Sequence, residues 1–191
     1  MPSGGFLGWF SDSEFVTEWN FETNFPPNPI FGQTYLFFPD SGTGTGFGFH
    51  DSTMSSWRGG SGNGSVRSLR TDRWTTGDFL AFQVSTLGLG NIKIEWDQAY
   101  GAGGPVEFGL FYHLGPFFEA DADPIFVASV SLLPIGNPPS LNWNPINHLD
   151  LTHYSINLGE DVVLYDKAEI TFGLMALETA SGSVALDNVK I

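Results

Sequence analysis

The chain has 191 residues, 41% of them hydrophobic and 15% aromatic, which is enough for one domain with a full core and excludes a disordered chain. Its 21 acidic and 7 basic residues give a net charge of −14, and a surface with that charge repels DNA and RNA. The sequence has no cysteine and no run of about eighteen apolar residues, so neither disulfides nor a membrane-spanning helix is expected.

The first third of the chain predicts an arm, two short strands and a long excursion. Residues 1–13 combine glycine, serine and aromatic residues without lysine or arginine, so we expect an N-terminal arm rather than a signal peptide. Apolar residues alternate over 14–22, where Trp19 and Phe21 share one face, and 34–38 predict a second strand. Residues 39–65 show little periodicity and predict an excursion that its aromatic side chains order only in part.

Residues 78–114 carry the clearest strand signal and are predicted to form a three-stranded meander that supplies the core. Ile92, Ile94 and Trp96 alternate with charged residues, and the runs on either side of the Gly-rich turns alternate in the same way. Further strands are predicted at 125–133, at 170–176 and at the end of the sequence. Residues 14–191 therefore predict a single all-β domain, an antiparallel two-sheet jelly-roll sandwich of nine to eleven strands with almost no helix.

Glu95 and Asp97 are the one pair of carboxylates considered for catalysis, because residues two apart on a strand share a face. Retaining glycosidases place two carboxyl groups about 5–5.5 Å apart. The segment resembles the Glu-x-Asp-x-x-Glu strand of laminarinase-like hydrolases, but Tyr100 stands where the third acid would be. We therefore predict a polar outer face and a protein that is not an enzyme.

Four tryptophans in loops or at strand ends are candidates for a binding surface: Trp9, Trp57, Trp74 and Trp143. Such aromatic side chains either stack on sugar rings or fill a protein interface, and we favour the protein interface. Most of the basic residues fall within a short segment and predict either a solvated face or a positive patch that docks on an acidic neighbour, such as a second copy. These are Arg58, Arg67, Arg70 and Arg73.

The histidines have no metal-type spacing and are predicted to be satisfied polar residues: His50, His113, His148 and His153. The sequence also lacks the Gly-x-Ser-x-Gly frame of a serine nucleophile. Neither motif class therefore indicates a catalytic centre.

Four stretches taken together show a family resemblance: EWNFE, DFLAFQVSTLGLGNIKIEWDQ, GPVEFGLFYHLG and SGSVALDNVKI. Their order and spacing resemble the secreted jelly-roll domains of bacterial exported proteins of the PEP-CTERM and choice-of-anchor type, which are similar in architecture to carbohydrate-binding modules. The most specific piece is Asp187–Val189. The resemblance implies a possible structural calcium ion where the first and last strands meet, with Glu18 or Glu22 and Asp187 as ligands; Asp121 and Asp123 are the alternative.

The combined features favour a non-enzymatic structural or surface protein that assembles through protein–protein contacts. The sequence has aromatic arms and acidic character but neither export signal nor anchor, which we interpret as a virion protein, either a phage capsid decoration (cement) protein or a fibre-type protein. Its expected partners are copies of itself in a homo-oligomer and a capsid or surface scaffold, with no nucleic acid and no membrane. The alternative is a secreted carbohydrate-binding or adhesion module, located outside the cell or on its surface, with a glycan as partner.

Overall fold

Fourteen β-strands and two short 3-10 helices make up the regular structure of the described residues. The computed structural model describes residues 16–26, 34–52, 54–115, 123–135, 142–159 and 162–191. The strands are β1 (Thr17–Trp19), β2 (Thr34–Phe37), β3 (Ser41–Gly42), β4 (Thr45–Phe49), β5 (Trp57–Gly60), β6 (Ser68–Trp74), β7 (Phe79–Val84), β8 (Lys93–Tyr100), β9 (Glu107–Leu114), β10 (Ile125–Ser131), β11 (Leu133–Pro134), β12 (His153–Asn157), β13 (Ile170–Ala176) and β14 (Ala180–Lys190). The 3-10 helices are Asp150–Thr152 and Val162–Leu164.

The predicted fold class is confirmed, because these strands form two antiparallel sheets of eight and six strands that face each other as a sandwich. The strand number exceeds the predicted nine to eleven, since β3, β4 and β5 lie in the segment predicted as an excursion and β11 has only two residues. In the described part of the chain, no helix is long and apolar enough to cross a membrane.

The eight-stranded sheet is built around β14, its longest strand. One edge of β14 pairs with β8, and the other edge pairs first with β6 and then with β1. Outside these, β12 and the short parallel β11 pair with β8, β5 pairs with β6, and β3 pairs with β1. Residues of β14 and β8 therefore occupy the middle of this sheet.

The six-stranded sheet has the order β10-β9-β13-β7-β4-β2. The predicted meander at 78–114 is wrong in its topology, because β7 and β9 belong to this sheet and β8 belongs to the other. Period-2 alternation shows that a strand has one apolar face, but it does not show which sheet the strand joins. The chain crosses between the sheets on both sides of β8, and the apolar face of β8 faces those of β7 and β9 across the core.

The core between the sheets is rich in aromatic side chains. Trp19 and Phe82 meet edge to face with ring centroids 5.0 Å apart, and Trp74 and Phe108 do so at 5.1 Å. Trp57 at the start of β5 is 3% exposed and Trp74 at the end of β6 is 1% exposed. Both were predicted to be surface binding aromatics, and this needs correction, because their rings pack inside the sandwich.

Residues 39–65 differ from the predicted excursion, since they contain β3, β4 and β5. In β4 the core-facing positions are Gly46 and Gly48, where an added Cβ would lie 2.0 Å from the ring of Phe37 and 1.9 Å from the ring of Trp57. Neighbouring rings fill the space above these glycines, so the phenylalanines of β4, Phe47 and Phe49, lie on the opposite face of the strand, and Phe49 stacks on Phe79 there. The predicted arm at 1–13 lies outside the described residues.

Candidate functional site

The outer face of the eight-stranded sheet carries polar side chains on three adjacent strands, and two of these side chains are fully buried. In β8, Trp96 points into the core while Asp97 points outward, and alternation places Asp187 of β14 outward as well. Asp97 stands opposite Asp187 on one side and opposite His153 of β12 on the other. The register therefore aligns His153, Asp97 and Asp187 in one row across the sheet.

A β-bulge in β14 adds a fourth polar group to this row. Between Asp187 and Lys190 the register with β8 shifts by one residue, and Asn188 has a φ of 48°. Asparagine is one of the few residue types other than glycine that adopts this left-handed conformation readily. The extra residue directs the Asn188 side chain to Asp97, where Nδ2 donates to Oδ2 at 2.7 Å.

Asp97 is fully buried and accepts hydrogen bonds from two histidines as well. His148 Nε2 lies 3.0 Å from Asp97 Oδ2, and His153 Nδ1 lies 2.8 Å from Asp97 Oδ1. The other ring nitrogen of His148 lies 2.9 Å from Asp150 Oδ1, and that of His153 lies 3.7 Å from Glu95 Oε1. Burial alone would lower the pKa of His148, but the carboxylates of Asp150 and Asp97 together raise it above its ordinary value.

Asp187 is also fully buried, beneath the loop that precedes β6. Its Oδ2 accepts hydrogen bonds from Ser65 Oγ at 2.5 Å and from the Asn63 backbone N–H at 2.8 Å, while Oδ1 accepts from the Asn188 N–H at 2.9 Å. Burial raises the pKa of Asp187 to about 7; the hydrogen bonds oppose this shift and the charge of Asp97 adds to it.

A cavity of about 150 Å³ lies beside this row on the same face of the sheet. Trp143 packs over Ala99 and Ala185 there, and its Nε1 donates to Thr152 Oγ1 at 3.0 Å, which fixes the indole against the sheet. Arg70 Nε donates to Ser183 Oγ at 2.9 Å and brings a positive charge to the cavity. The described lining residues are Gly60, Ser61, Ser68, Arg70, Ile135, Asn142, Trp143 and Ala185.

Of the predicted binding residues, the structure brings Trp143 and Arg70 together at this cavity. Trp143 was predicted to be a surface aromatic, but only 5% of it is exposed, so most of its indole is covered. Arg58 stands opposite Arg70 in the pairing of β5 with β6. Burial and the nearby charge of Arg58 both lower the pKa of Arg70. Arg67 contributes its backbone N–H to Glu22 Oε1 at 2.8 Å, and Arg73 has a left-handed φ of 57° within β6. Trp9 lies outside the described residues.

The predicted calcium ligands make other contacts in the described structure. Glu18 Oε1 lies 3.2 Å from the ammonium nitrogen of Lys190, and Glu22 Oε1 accepts the Arg67 N–H. Asp187 is surrounded by N–H and O–H donors, whereas calcium requires about six to eight oxygen ligands. These contacts do not gather the carboxylates of the three residues around one point, so calcium there stays a prediction that the described geometry does not support. Asp121 lies outside the described residues.

Sequence reasoning missed the two histidines that meet at Asp97. Each of Asp97, His148 and His153 offers one ligand atom, and these atoms lie within 4.8 Å of one another. His148 and Asp97 are 51 residues apart in sequence, so no local spacing reveals the group. The signal that would have found it is the pairing of β12 with β8, which sets His153 opposite Asp97.

No protein-family model matches the sequence, and no curated protein matches it either. Among solved structures, the chain is similar to a Clostridium thermocellum xylanase 10B structure that comprises CBM22-1 and GH10 modules in complex with xylohexaose. That likeness has a TM-score of 0.53 and 14% identity, and it covers 93% of this chain but only 28% of the xylanase chain. The K1 cleaved adhesin domain of Lys-gingipain from Porphyromonas gingivalis is similar with a TM-score of 0.50 and 10% identity, covering 91% of this chain and 95% of that domain.

A CBM22-1 xylan-binding domain from Paenibacillus barcinonensis Xyn10C is similar at a TM-score of 0.47 and 11% identity, covering 93% of this chain and 92% of that domain. The predicted likeness in architecture to carbohydrate-binding modules agrees with the similarity to the xylanase structure that contains a CBM22-1 module, which shows the fold alone. The finer resemblance to PEP-CTERM and choice-of-anchor domains has no match behind it. Because the identities are only 10–14%, the comparisons show the sandwich fold and do not identify a ligand.

Proposed function

We propose that the protein is a non-catalytic carbohydrate-binding module that binds its glycan at the cavity beside Trp143. The observation that carries this proposal is the chemistry of the cavity wall, which combines an indole with the guanidinium of Arg70, two serine hydroxyls and the amide of Asn142. Sugars present apolar C–H groups that pack against aromatic side chains. They also present hydroxyls that bond to polar and charged groups.

The size of the cavity favours a small ligand unit. At about 150 Å³ it is smaller than the range of about 300–1,000 Å³ that is typical of sites for drug-sized ligands. Gly60 and Ala185 leave part of the lining free of long side chains. We infer that the cavity takes one sugar residue, at the end of a glycan chain or on a side branch.

The fold comparisons are compatible with this function. One of the similar structures is a xylanase in complex with xylohexaose, and another is an adhesin domain. The proposal includes the extracellular or cell-surface location that was the alternative prediction.

The virion hypothesis finds no support among the comparisons, and neither does a homo-oligomer. Trp57 and Trp74, which that hypothesis assigned to an interface, are buried in the core of a single chain. The carbohydrate-binding alternative is therefore the function that we adopt.

The test is binding to a polysaccharide panel of xylan, mixed-linkage β-glucan and galactan, measured by affinity electrophoresis and calorimetry. Hydrogen bonds to a charged group contribute about 1.5–3 kcal/mol, so Arg70→Gln is expected to weaken binding by about tenfold to a hundredfold. Arg58→Gln is the matched control, because Arg58 is the cross-strand neighbour of Arg70 but is not among the described residues that line the cavity. A parent protein that retains no glycan, or an Arg70→Gln variant that binds as the parent does, would contradict the proposal.

A further inference from the structure

A group of one carboxylate and two imidazoles lies on the outer face of the eight-stranded sheet, next to the cavity. We propose that Asp97, His148 and His153 bind a divalent transition-metal ion of the zinc class. Asp97 comes from β8, His153 from β12, and His148 from the segment that leads into the 3-10 helix at Asp150–Thr152. The three ligand atoms lie within 4.8 Å of one another.

The distances suit such an ion after a small adjustment. Zinc binds histidine nitrogen and carboxylate oxygen at about 2.0–2.2 Å, which places tetrahedral ligand atoms about 3.3 Å from one another. One oxygen of Asp97, Oδ1, lies 3.2 Å from His148 Nε2 and 2.8 Å from His153 Nδ1. These two contacts have to open by about half an ångström at most. The two imidazole nitrogens, which lie within 4.8 Å of each other, have to close around the ion, which replaces the ring proton that now faces the carboxylate.

An outer carboxylate orients the imidazole of His148 in the way that metal-binding histidines require, and a second one lies near His153. In metal sites the ring nitrogen that does not bind the ion almost always donates its proton to a carboxylate, a carbonyl or water. His148 Nδ1 faces Asp150 at 2.9 Å, and His153 Nε2 faces Glu95 at 3.7 Å. His148 thus has its second nitrogen hydrogen-bonded to Asp150, whereas the second nitrogen of His153 lies at ion-pair distance from Glu95, a carboxylate that also contacts the Lys93 ammonium group.

The shared ligand is rigid and the site is open to solvent. Asp97 is fully buried and is held by the Asn188 amide from the β14 bulge, so its position does not depend on the ion. The side chains of His148 and His153 are 40% and 33% exposed, which leaves a path for entry. Three protein ligands leave one of four tetrahedral positions for water or an external donor. Imidazole ligands favour zinc, copper or nickel over calcium and magnesium, which prefer oxygen.

The experiment uses the whole chain without glycan, with Zn²⁺ in titration calorimetry and Co²⁺ as a spectroscopic probe. The expected result is one ion per chain and the intense visible absorption of four-coordinate Co²⁺. His148→Gln and His153→Gln are each expected to weaken binding at least about tenfold. His113→Gln is the matched control, because His113 is a partly exposed histidine of β9 in the other sheet and is expected to leave binding unchanged.

Asp150→Asn provides an independent test, since the Asp150 side chain is 95% exposed and its replacement should not affect folding. Loss of an outer carboxylate partner typically lowers metal affinity about 10- to 100-fold, and a weakening in that range would support the site. Absence of stoichiometric Zn²⁺ or Co²⁺ binding by the parent overturns the proposal. So does binding that remains unchanged in His148→Gln, His153→Gln and Asp150→Asn. Because no glycan is present, this result is independent of the carbohydrate-binding test.

Discussion

His50 offers a direct test of how the core is built, because the structure determines which of its ring nitrogens carries a proton. Its Nδ1 lies 2.6 Å from Ser55 Oγ, and that hydroxyl donates its own proton to the Asp72 carbonyl at 2.7 Å. Ser55 therefore accepts the Nδ1 proton, and Nε2 is a bare nitrogen, buried without a hydrogen-bond partner among the described residues. The His50 ring centroid is only 4.3 Å from that of Trp74.

Protonation of His50 would place an N–H without an acceptor in this aromatic environment. Burial lowers the pKa of His50 from 6.5 to about 4, although Asp72 opposes the shift. Between these values the unfolded chain binds the proton and the folded chain does not, so the free energy of unfolding decreases as the pH falls. At about 1.36 kcal/mol per pKa unit, the loss is about 2 kcal/mol at about pH 5 and about 3 kcal/mol at about pH 4.

Urea unfolding followed by tryptophan fluorescence measures this loss in the parent and in His50→Phe. Phenylalanine keeps a ring against Trp74 but cannot titrate. Between about pH 7.5 and pH 5, the parent should lose about 2 kcal/mol more than the variant. The comparison of the two proteins is needed because Asp187 has the opposite effect in both. Its raised pKa of about 7 makes its contribution to the free energy of unfolding increase as the pH falls.

His113→Phe, at a partly exposed position of β9, is the control for the exchange of a histidine for phenylalanine at another site. Asp78, whose carboxylate lies 3.7 Å from His50 Nδ1, is present in all three proteins. If the parent and His50→Phe lose the same stability to within about 0.5 kcal/mol, the neutral-histidine argument is refuted.

Substitutions at two further positions, Gly48 and Asp40, test the fold by the same unfolding assay. Gly48→Ala would set a Cβ 1.9 Å from the Trp57 ring and should lower the free energy of unfolding by about 1–3 kcal/mol. Gly59→Ala is the control and should be nearly neutral, because the nearest atom to its added Cβ is 4.0 Å away. Equal losses of stability in the two variants would contradict the packing of β4. Asp40→Ala should cost about 1–2 kcal/mol, because Asp40 accepts backbone N–H bonds from residues 20, 21, 23 and 24, including Thr23 at 2.8 Å. An unchanged midpoint would count against these bonds. Asp40→Asn should lose part of this stability, chiefly above about pH 4, since hydrogen bonds hold the pKa of Asp40 below its usual value despite its burial.

The fold class was predictable because most strands alternate with period 2, as in β13, where Ile170, Phe172 and Leu174 all face the core. The pairing of strands was not, since alternation in β8 is compatible with either sheet. In β4 the alternation marks the face opposite the core, because glycines occupy the core face and rings from other strands fill the space above them.

Only part of the candidate site could be predicted, because its residues come from distant segments of the chain. Trp143 and Arg70 were recognisable as a loop aromatic and a clustered base, and the structure places both at one cavity. The meeting of Asp97 with two histidines depends on strand register and on a bulge at Asn188. Such contacts between distant segments leave no local pattern in a single sequence.

The position of β14 has a consequence for how the protein folds. Without this strand, the eight-stranded sheet consists of three separate ribbons: β1 with β3, β5 with β6, and β8 with β11 and β12. The strand that joins them follows all of them along the chain. Completion of the sheet therefore requires pairing between β14 and strands that are distant in sequence. Such pairing is slow, because the entropy of closing the long loops is lost before the strand contacts form. Until then the ribbons expose unpaired edges, so the aggregation risk during synthesis is concentrated in the period before β14 is available.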